Sequence, residues 1–200
     1  MPGREAGSTA GPAAAAEPLS DEEIMVRIGA GDAGYLAMLF ERHQGRLYGF
    51  FLRMSGNRAL AEDLVQELFL RLWRYRESFR PGAGTFAAWM YRVAHNLCVD
   101  QLRKLAAERP LPERFEELES EPAVAADAAL RSESASLLRR ALLALPEEKR
   151  AVIVLSRFQE LRHEEIGRLL GCTAGAVKVR LHRALKDLRQ AYDRVSEVPT

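Results

Sequence analysis

The chain has 200 residues, of which 48% are hydrophobic and 28% are charged, and its formal net charge is +1. This is the composition of an ordinary soluble protein of one or two domains, and it excludes a histone-like polycation or a strongly acidic solvating chain. The charge is unevenly placed, because residues 1–103 are neutral, residues 104–135 carry −4 and residues 136–200 carry +5. No apolar run reaches the roughly 18–20 residues that span a bilayer, so we expect no membrane span.

Residues 20–105 predict a first helical module, because apolar residues recur there at helical spacing and alternating β-branched runs are absent. The alanine-, glycine- and proline-rich residues before it, 1–19, predict a disordered tail without a signal peptide. Capping residues and chain breakers place four helices in this module: from the Ser20–Glu23 capping box to Gly29, from the Asp32 cap to Gly56, from Arg58 to Glu77, and from the Thr85 cap to Lys104.

Residues 106–129 predict a flexible acidic linker, because prolines and glutamates accumulate there. A second helical module follows at 130–195, before a short tail at 196–200. The chain is therefore predicted to be all-α, with two helical modules joined by a flexible acidic linker. The last three predicted helices are Glu147–Phe158, His163–Leu170 and Ala174–Tyr192.

The segment from Glu165 to Val177 has the spacing of a helix-turn-helix. Gly167 allows the two helices to approach closely, Gly171 permits the tight turn, and Val177 fills the gap between the helices. The second helix carries a net charge of +4 over residues 174–189. Cations in its first turns suit base edges and later ones suit phosphates, which favours DNA binding over the alternative of a solvated basic helix. These cations are Lys178, Arg180, Arg183, Lys186 and Arg189.

Two other groups of residues leave a structural and a functional interpretation open. The helix Asp63–Trp73 sets aromatic residues beside carboxylates, as protein interfaces do, although the pattern alone favours a core position for Phe69 and Trp73. The loop that begins at Phe79 and the helix after it combine aromatic, polar and basic side chains, as sites for single-stranded nucleic acid do. An aromatic core with surface arginines fits the same spacing.

The two cysteines, Cys98 and Cys172, stand far apart and in no CxxC pattern. They are too few for a disulfide framework and suit a reducing cytoplasm, where we expect the protein. His95 and Cys98 form an HxxC pair, but structural zinc takes four ligands and no second pair is evident. We therefore expect neither a metal nor a cofactor.

Three stretches in this order resemble the extracytoplasmic-function (ECF) sigma factors of the sigma-70 family: Ala61–Trp73, Thr85–Asn96 and Val177–Ala184. The resemblance covers residues 20–104 and 136–192, with the acidic linker between them. It implies an initiation factor, and no enzyme, that binds core RNA polymerase and directs it to the −35 and −10 promoter elements. The alternatives are a stand-alone helix-turn-helix repressor or activator, and a helical enzyme with an incidental DNA-binding tail.

The resemblance also implies partners and roles for individual residues. The partners are the β′ clamp helices and the β flap of core RNA polymerase, promoter DNA, and an anti-sigma factor. The first module corresponds to region 2 of the family, which melts the −10 element and holds a flipped base, and the second module corresponds to region 4. The implied contacts are Asp63, Gln66, Glu67 and Phe69 with polymerase; Phe79, Arg80, Trp89, Arg92, Asn96 and Arg103 with −10 DNA; and Thr173, Gly175, Lys178, Arg180 and Arg183 with −35 DNA. Three positions depart from the family pattern in ways that remove expected DNA-backbone contacts: His95 in place of arginine, Ala176 in place of threonine and Val179 in place of serine.

Overall fold

A computed structural model of the protein describes residues 19–108 and 133–197. Every regular element in these two stretches is helical, which confirms the predicted all-α class. The first stretch forms α1 (Asp21–Gly29), α2 (Gly34–Ser55), α3 (Arg58–Arg74) and α4 (Phe86–Glu108), with a 3-10 turn at Arg76–Ser78. The second forms α5 (Glu133–Leu143), α6 (Glu147–Ile153) with a π-helical turn at Val154–Phe158, α7 (His163–Leu170) and α8 (Ala174–Ser196). The predicted tail up to residue 18 and the predicted linker from residue 109 lie outside the described residues.

The Ser20–Glu23 capping box takes its predicted role at α1, whereas the N-cap of α2 is Ala33 and the predicted cap, Asp32, lies one residue before it. The backbone N–H of Glu23 donates to Ser20 Oγ at 3.2 Å, and the N–H of Ser20 donates to the Glu23 carboxylate at 2.8 Å. The carboxylate of Asp32 accepts a hydrogen bond from the N–H of Gly34 at 3.1 Å. Gly56 ends α2 with a φ of 72°, in the left-handed region that glycine adopts without strain.

Three helix ends differ from the predicted ones. α3 ends at Arg74, three residues before its predicted end at Glu77. There the Arg76 guanidinium donates to the Trp73 carbonyl oxygen at 2.9 Å, and this bond satisfies one of the backbone carbonyl groups that a helix leaves without a partner at its C-terminus. α4 and α8 each continue four residues past their predicted ends, to Glu108 and Ser196, because no proline or glycine interrupts them. α4 therefore extends into the stretch that was predicted to be linker.

The first module is a bundle of α1 to α4 around large apolar side chains. The rings of Phe50 and Phe51 pack edge to face with centroids 5.3 Å apart, and Phe50 contacts the Tyr91 ring at 5.4 Å. Each such side chain, once buried, contributes about 1.5–3 kcal/mol to the free energy of folding. This core holds α3 and α4 in place, so that their remaining faces are presented to solvent. Its fully buried members include Phe50, Phe51, Leu68, Leu72 and Phe86.

The second module packs directly against the first. α5, α6 and the π-helical turn contact α2, while α7 contacts α4. The Arg150 guanidinium donates to the carbonyl oxygens of Met54, at the end of α2, and of Leu143. The Arg53 guanidinium lies 4.3 Å from the centre of the Phe158 ring. Buried apolar residues of both modules form one continuous core, a contact that the sequence does not predict.

Candidate interaction and nucleic-acid surfaces

The helix α3 presents a polar stripe to solvent along its outer face. Asp63 and Gln66 are exposed, and Glu67 is half-buried with its Oε1 accepting a hydrogen bond from Arg71 Nε at 2.8 Å. Phe69, which was predicted to belong to the same surface, is only 5% exposed and packs edge to face on Phe40 with centroids 5.0 Å apart. The helical phase turns this side chain into the core, so the contact of Phe69 with polymerase stays a prediction that would need α3 to rearrange.

The apolar side chain on the outer face of α3 is Leu70, which is 61% exposed. It follows Gln66 by four residues and Glu67 by three, so the three side chains are neighbours on one face of the helix. Sequence reasoning missed Leu70, although the signal was present: the leucines at 64, 68 and 72 fix the buried face, and position 70 lies opposite to it. We call the exposed residues Asp63, Gln66 and Leu70, together with the half-buried Glu67, the α3 stripe.

Three aromatic rings pack on one another beside the loop between the 3-10 turn and α4. Phe79 lies 5.6 Å from Trp89 and 6.1 Å from Phe86, measured between ring centroids, and Phe86 lies 6.0 Å from Trp89. Phe79 and Trp89 are 7% and 8% exposed, so these two predicted −10 contacts are interior in this arrangement. The Trp89 indole N–H is buried and has no hydrogen-bond partner among the described residues. Arg80 is exposed and donates to the Glu77 carbonyl oxygen at 3.0 Å.

The outer face of α4 carries the other predicted −10 contacts. Arg92, Asn96 and Arg103 are all exposed, and their spacing of four and seven residues places them on one ridge of the helix. His95, beside this ridge, is half-buried. Burial lowers the pKa of His95, despite an opposing hydrogen bond with Asn96, so its ring is neutral at pH 7 and does not replace the charge of the arginine that the family pattern has there.

The helix-turn-helix has the predicted local geometry. A Cβ added to Gly167 would lie 2.6 Å from the backbone oxygen of Cys172, so the turn leaves room for glycine alone. Gly171 has a φ of 65° and ends α7 in the left-handed region. Val177 is fully buried between the helices. The Thr173 hydroxyl accepts a hydrogen bond from the N–H at position 176 (3.1 Å) and caps α8.

The first turns of α8 present a basic arc to solvent. Lys178, Arg180 and Arg183 are exposed, and no acidic side chain among the described residues pairs with them. The one acid in this part of α8, Asp187, accepts a hydrogen bond from Lys149 at 2.6 Å and is thereby drawn toward α6. The arc therefore keeps its full positive charge. Gly175 and Val179 are exposed on the same first turns, and the later cations Lys186 and Arg189 are exposed as well.

The described residues hold no group of three or more histidine, cysteine or acidic side chains arranged for a metal ion. His95 and Cys98 occupy one helix, and burial raises the pKa of the Cys98 thiol to about 12, which disfavours the thiolate that a metal needs. Among the described helices, none has the length and apolar character to cross a bilayer.

The chain matches two family models. Residues 39–108 match Sigma-70 region 2, and residues 135–188 match Sigma-70 region 4. The first therefore contains α3, the aromatic loop and α4, and the second contains the helix-turn-helix.

Several characterised proteins are similar over most of the chain. It is 37% identical over 153 residues to the ECF RNA polymerase sigma factor SigE of Mycolicibacterium smegmatis, covering 76% of this chain and 59% of that protein. It is 31% identical to the ECF RNA polymerase sigma factor SigW of Bacillus subtilis, covering 80% of this chain and 90% of that protein. It is 38% identical to the RNA polymerase sigma factor CarQ of Myxococcus xanthus, covering 82% and 91%.

Two solved structures share the fold at 22% sequence identity. The sigma factor RpoE in complex with the anti-sigma factor NepR from Bartonella quintana superposes with a TM-score of 0.60, covering 78% of this chain and 96% of that one. CnrH in complex with the cytosolic domain of CnrY superposes with a TM-score of 0.62, covering 87% and 97%.

Proposed function

This chain belongs to the extracytoplasmic-function sigma factors of the sigma-70 family, and on that premise we propose that it is a dissociable initiation subunit that recruits core RNA polymerase to −35 and −10 promoter elements. The observation that carries the proposal is the order of three surfaces along one chain: the α3 stripe, the loop and ridge of α4, and the basic arc of α8. A repressor needs only the last of these surfaces. We propose no catalytic activity, and we propose the cytoplasm as the site of action.

The α3 stripe is proposed to dock on the β′ clamp helices of the polymerase. Asp63, Gln66 and Glu67 supply polar contacts, and Leu70 supplies an apolar anchor, since a central apolar side chain surrounded by polar ones is the usual arrangement of an interface hot spot. Phe69 supports the helix from within. Region 4 is proposed to bind the β flap.

The loop and the outer ridge of α4 are proposed to read and melt the −10 element. Arg92, Asn96 and Arg103 would follow the DNA backbone, while a flipped base would enter between the rings of Phe79 and Trp89 once the loop opens. Stacking of a base on an aromatic ring is worth about 1–3 kcal/mol, which offsets the few kcal/mol that unpairing costs. The unpaired indole N–H of Trp89 is available to an acceptor on such a base.

The basic arc of α8 is proposed to read the −35 element. Lys178 and Arg180 lie in the first turns of the second helix, where helix-turn-helix proteins contact base edges, and arginine can pair with guanine through two hydrogen bonds. Arg183 lies one turn further and suits a phosphate. Thr173 and Gly175 are exposed at the N-terminal end of α8, where their small size allows the DNA backbone to approach closely.

An anti-sigma factor is the further proposed partner. RpoE and CnrH, two proteins that share this fold in solved structures, are bound there to the anti-sigma factor NepR and to the cytosolic domain of CnrY, respectively. This chain is proposed to be held by a comparable protein.

Reconstitution with core polymerase tests the proposal. The full-length chain should co-purify with core polymerase and should direct run-off transcription from mapped start sites on genomic fragments. Binding to promoter fragments without any affinity for core would instead favour a stand-alone repressor or activator, and the absence of any promoter-specific transcript would refute the sigma-factor role.

Arg180→Ala separates promoter reading from polymerase docking. Loss of a bidentate base contact costs about 1–3 kcal/mol, so we expect transcription from a promoter with an intact −35 element to fall by about 5- to 160-fold. Affinity for core polymerase should stay unchanged, because Arg180 is far from α3 in the chain and exposed on α8. If both proteins respond equally to mutation of the −35 element, Arg180 does not read it.

A further inference from the structure

One exposed side chain on α8 differs in character from the charged face around it. Val179 is 49% exposed, and no other large apolar side chain of α8, residues 174–196, is exposed. The outer face of a surface helix is ordinarily polar, and residues 172–186 here include four lysines and arginines and no acidic residue. Valine is also a poorer helix former than alanine, lysine or arginine. The stability of the helix therefore does not account for a valine at this position.

The helical phase places Val179 in the middle of the surface that α8 presents. The buried face of the helix includes Val177 and Leu181. Because successive residues are rotated by about 100°, Val179 lies about 200° from Val177, on the opposite side of the helix. Lys178 and Arg180 lie about 100° to either side of Val179. An apolar side chain thus stands at the centre of the outer face, with an exposed cation on each flank.

The surface around Val179 is low on its N-terminal side. Gly175 and Ala176 precede Val179 by four and three residues, so they are its neighbours one turn earlier in the helix. Neither of them projects further than a methyl group. Arg183, one turn after Val179, is exposed and cationic. A helix with this relief can lie deep in a DNA groove, with the valine methyl groups toward the base edges and the cations toward polar groups around them.

The major groove offers one apolar group on the edges of the bases, the C5-methyl group of thymine. Guanine, adenine and cytosine present hydrogen-bond donors and acceptors there, and a valine placed against them would leave these groups without partners. The two γ-methyl groups of a helical valine are also held by a nearly fixed χ1 angle, so little conformational freedom is lost when they make a contact. Valine at this position therefore favours thymine over the other three bases.

We propose that Val179 is a specificity-determining residue that reads the C5-methyl group of a thymine in the −35 element, beside the base pairs contacted by Lys178 and Arg180. This inference rests on the proposed reading of the −35 element by α8. The family pattern has serine at this position, and a serine hydroxyl can donate to or accept from polar groups of DNA. Replacement of that hydroxyl by two methyl groups changes what the position selects. The −35 element of this chain should therefore require an A·T base pair there.

Substitution of single thymines by deoxyuridine tests the contact, because it removes the methyl group and leaves the hydrogen bonds of the base pair intact. The probes are DNA duplexes selected from a random pool by the full-length chain bound to core polymerase, with each thymine of the −35 element replaced in turn. We expect one position at which the replacement raises the dissociation constant of the wild-type complex about fourfold, the factor that corresponds to burial of one methyl group. Val179→Ser should bind the thymine and deoxyuridine duplexes equally, because it lacks the γ-methyl groups. Serine and valine are similar helix formers, so this exposed substitution should leave the fold intact.

Val26→Ser is the matched control, because it makes the same change at a valine that is 51% exposed on α1, and it should keep the fourfold methyl effect. A −35 element without such a thymine, or a methyl effect that persists in Val179→Ser, would overturn the inference. The same scan on duplexes selected by the free chain separates this inference from the proposed function. A chain without affinity for core polymerase would refute the function, while a methyl effect that is lost in Val179→Ser would still assign the thymine contact to Val179. If neither the free chain nor its complex with polymerase selects any DNA sequence, both are refuted.

Discussion

Of the neighbouring residues Phe69 and Leu70, the first is buried in the core and the second is exposed, so truncating each in turn separates folding from docking. Leu70→Ala removes an exposed side chain at a position where alanine is an equally good helix former, so the free energy of unfolding should change by less than about 0.5 kcal/mol. Phe69→Ala removes a ring that packs on Phe40, and a truncation of this kind costs about 3–5 kcal/mol of stability.

The effect of Leu70→Ala on docking follows from its exposure. Full burial of a leucine side chain is worth about 1.5–3 kcal/mol, and the 61% that remains exposed here corresponds to about 1–2 kcal/mol if docking buries it. The dissociation constant for core polymerase should therefore increase about 5- to 30-fold. Val26→Ala is the matched control, because Val26 is 51% exposed on α1, outside the α3 stripe, and its truncation should leave the affinity unchanged.

The assay is a titration of fluorescently labelled chain with core polymerase, read by anisotropy, alongside urea unfolding followed by circular dichroism. An unchanged dissociation constant for Leu70→Ala would remove Leu70 from the docking surface. A folded Phe69→Ala protein that binds much more weakly than Leu70→Ala would show that Phe69 reaches the polymerase after a rearrangement of α3, and it would refute the reasoning from burial.

Two further predictions concern the helix-turn-helix and the thiols. Gly167→Ala should destabilise region 4 by about 1–3 kcal/mol, because its Cβ would lie 2.6 Å from the Cys172 carbonyl oxygen. Gly175→Ala is the control and should be neutral or slightly stabilising, because its Cβ would meet only Thr173 Oγ1, at 3.9 Å. Equal urea midpoints for the two variants would contradict this prediction. Alkylation of the native protein at pH 8, followed by mass spectrometry, should label the half-buried Cys172 well before the fully buried Cys98, because burial raises the pKa of the Cys98 thiol to about 12. Equally fast labelling of both cysteines without denaturant would show that the core opens readily.

Local signals predicted the helices and the helix-turn-helix well because their causes are local. Ser20 and Glu23 cap α1 from three residues apart, and Gly167 meets the turn only five residues later. Each of these interactions joins neighbours along the chain, so the residue types and their spacing are sufficient to predict it. The same is true of the exposed basic arc of α8, which helical periodicity places opposite the buried face.

Side-chain direction was harder to predict where the pattern is apolar all around a helix. In α3, residues 68, 69, 70 and 72 are all large and apolar, so the leucine periodicity places Leu70 outward but leaves the direction of Phe69 undecided. The structure resolves the matter through Phe40, a residue 29 positions earlier that closes over Phe69 and leaves Leu70 in solvent. The resemblance to a family drew attention to the right helix, but the packing decides which side chain it presents.

The contact between the modules could not be predicted from the sequence at all. The hydrogen-bonded side chains of Thr85 and Glu165 are 80 residues apart, and those of Tyr91 and Gln159 are 68 apart. Single polar residues at such separations leave no periodic signal, and each is equally compatible with an exposed position. Only the fold shows that Glu165 and Gln159 are buried and that their partners belong to the other module.

The basic arc of α8 is exposed although the charge of the whole chain is close to neutral. Lys178, Arg180 and Arg183 are exposed, and their one acidic neighbour in this part of α8 is engaged by Lys149. Electrostatic attraction to duplex DNA depends on such exposed cations, and the near-neutral total of the chain does not remove it, because charges beyond about 10 Å are screened at physiological salt. The overall charge of +1 is therefore a poor guide to DNA binding.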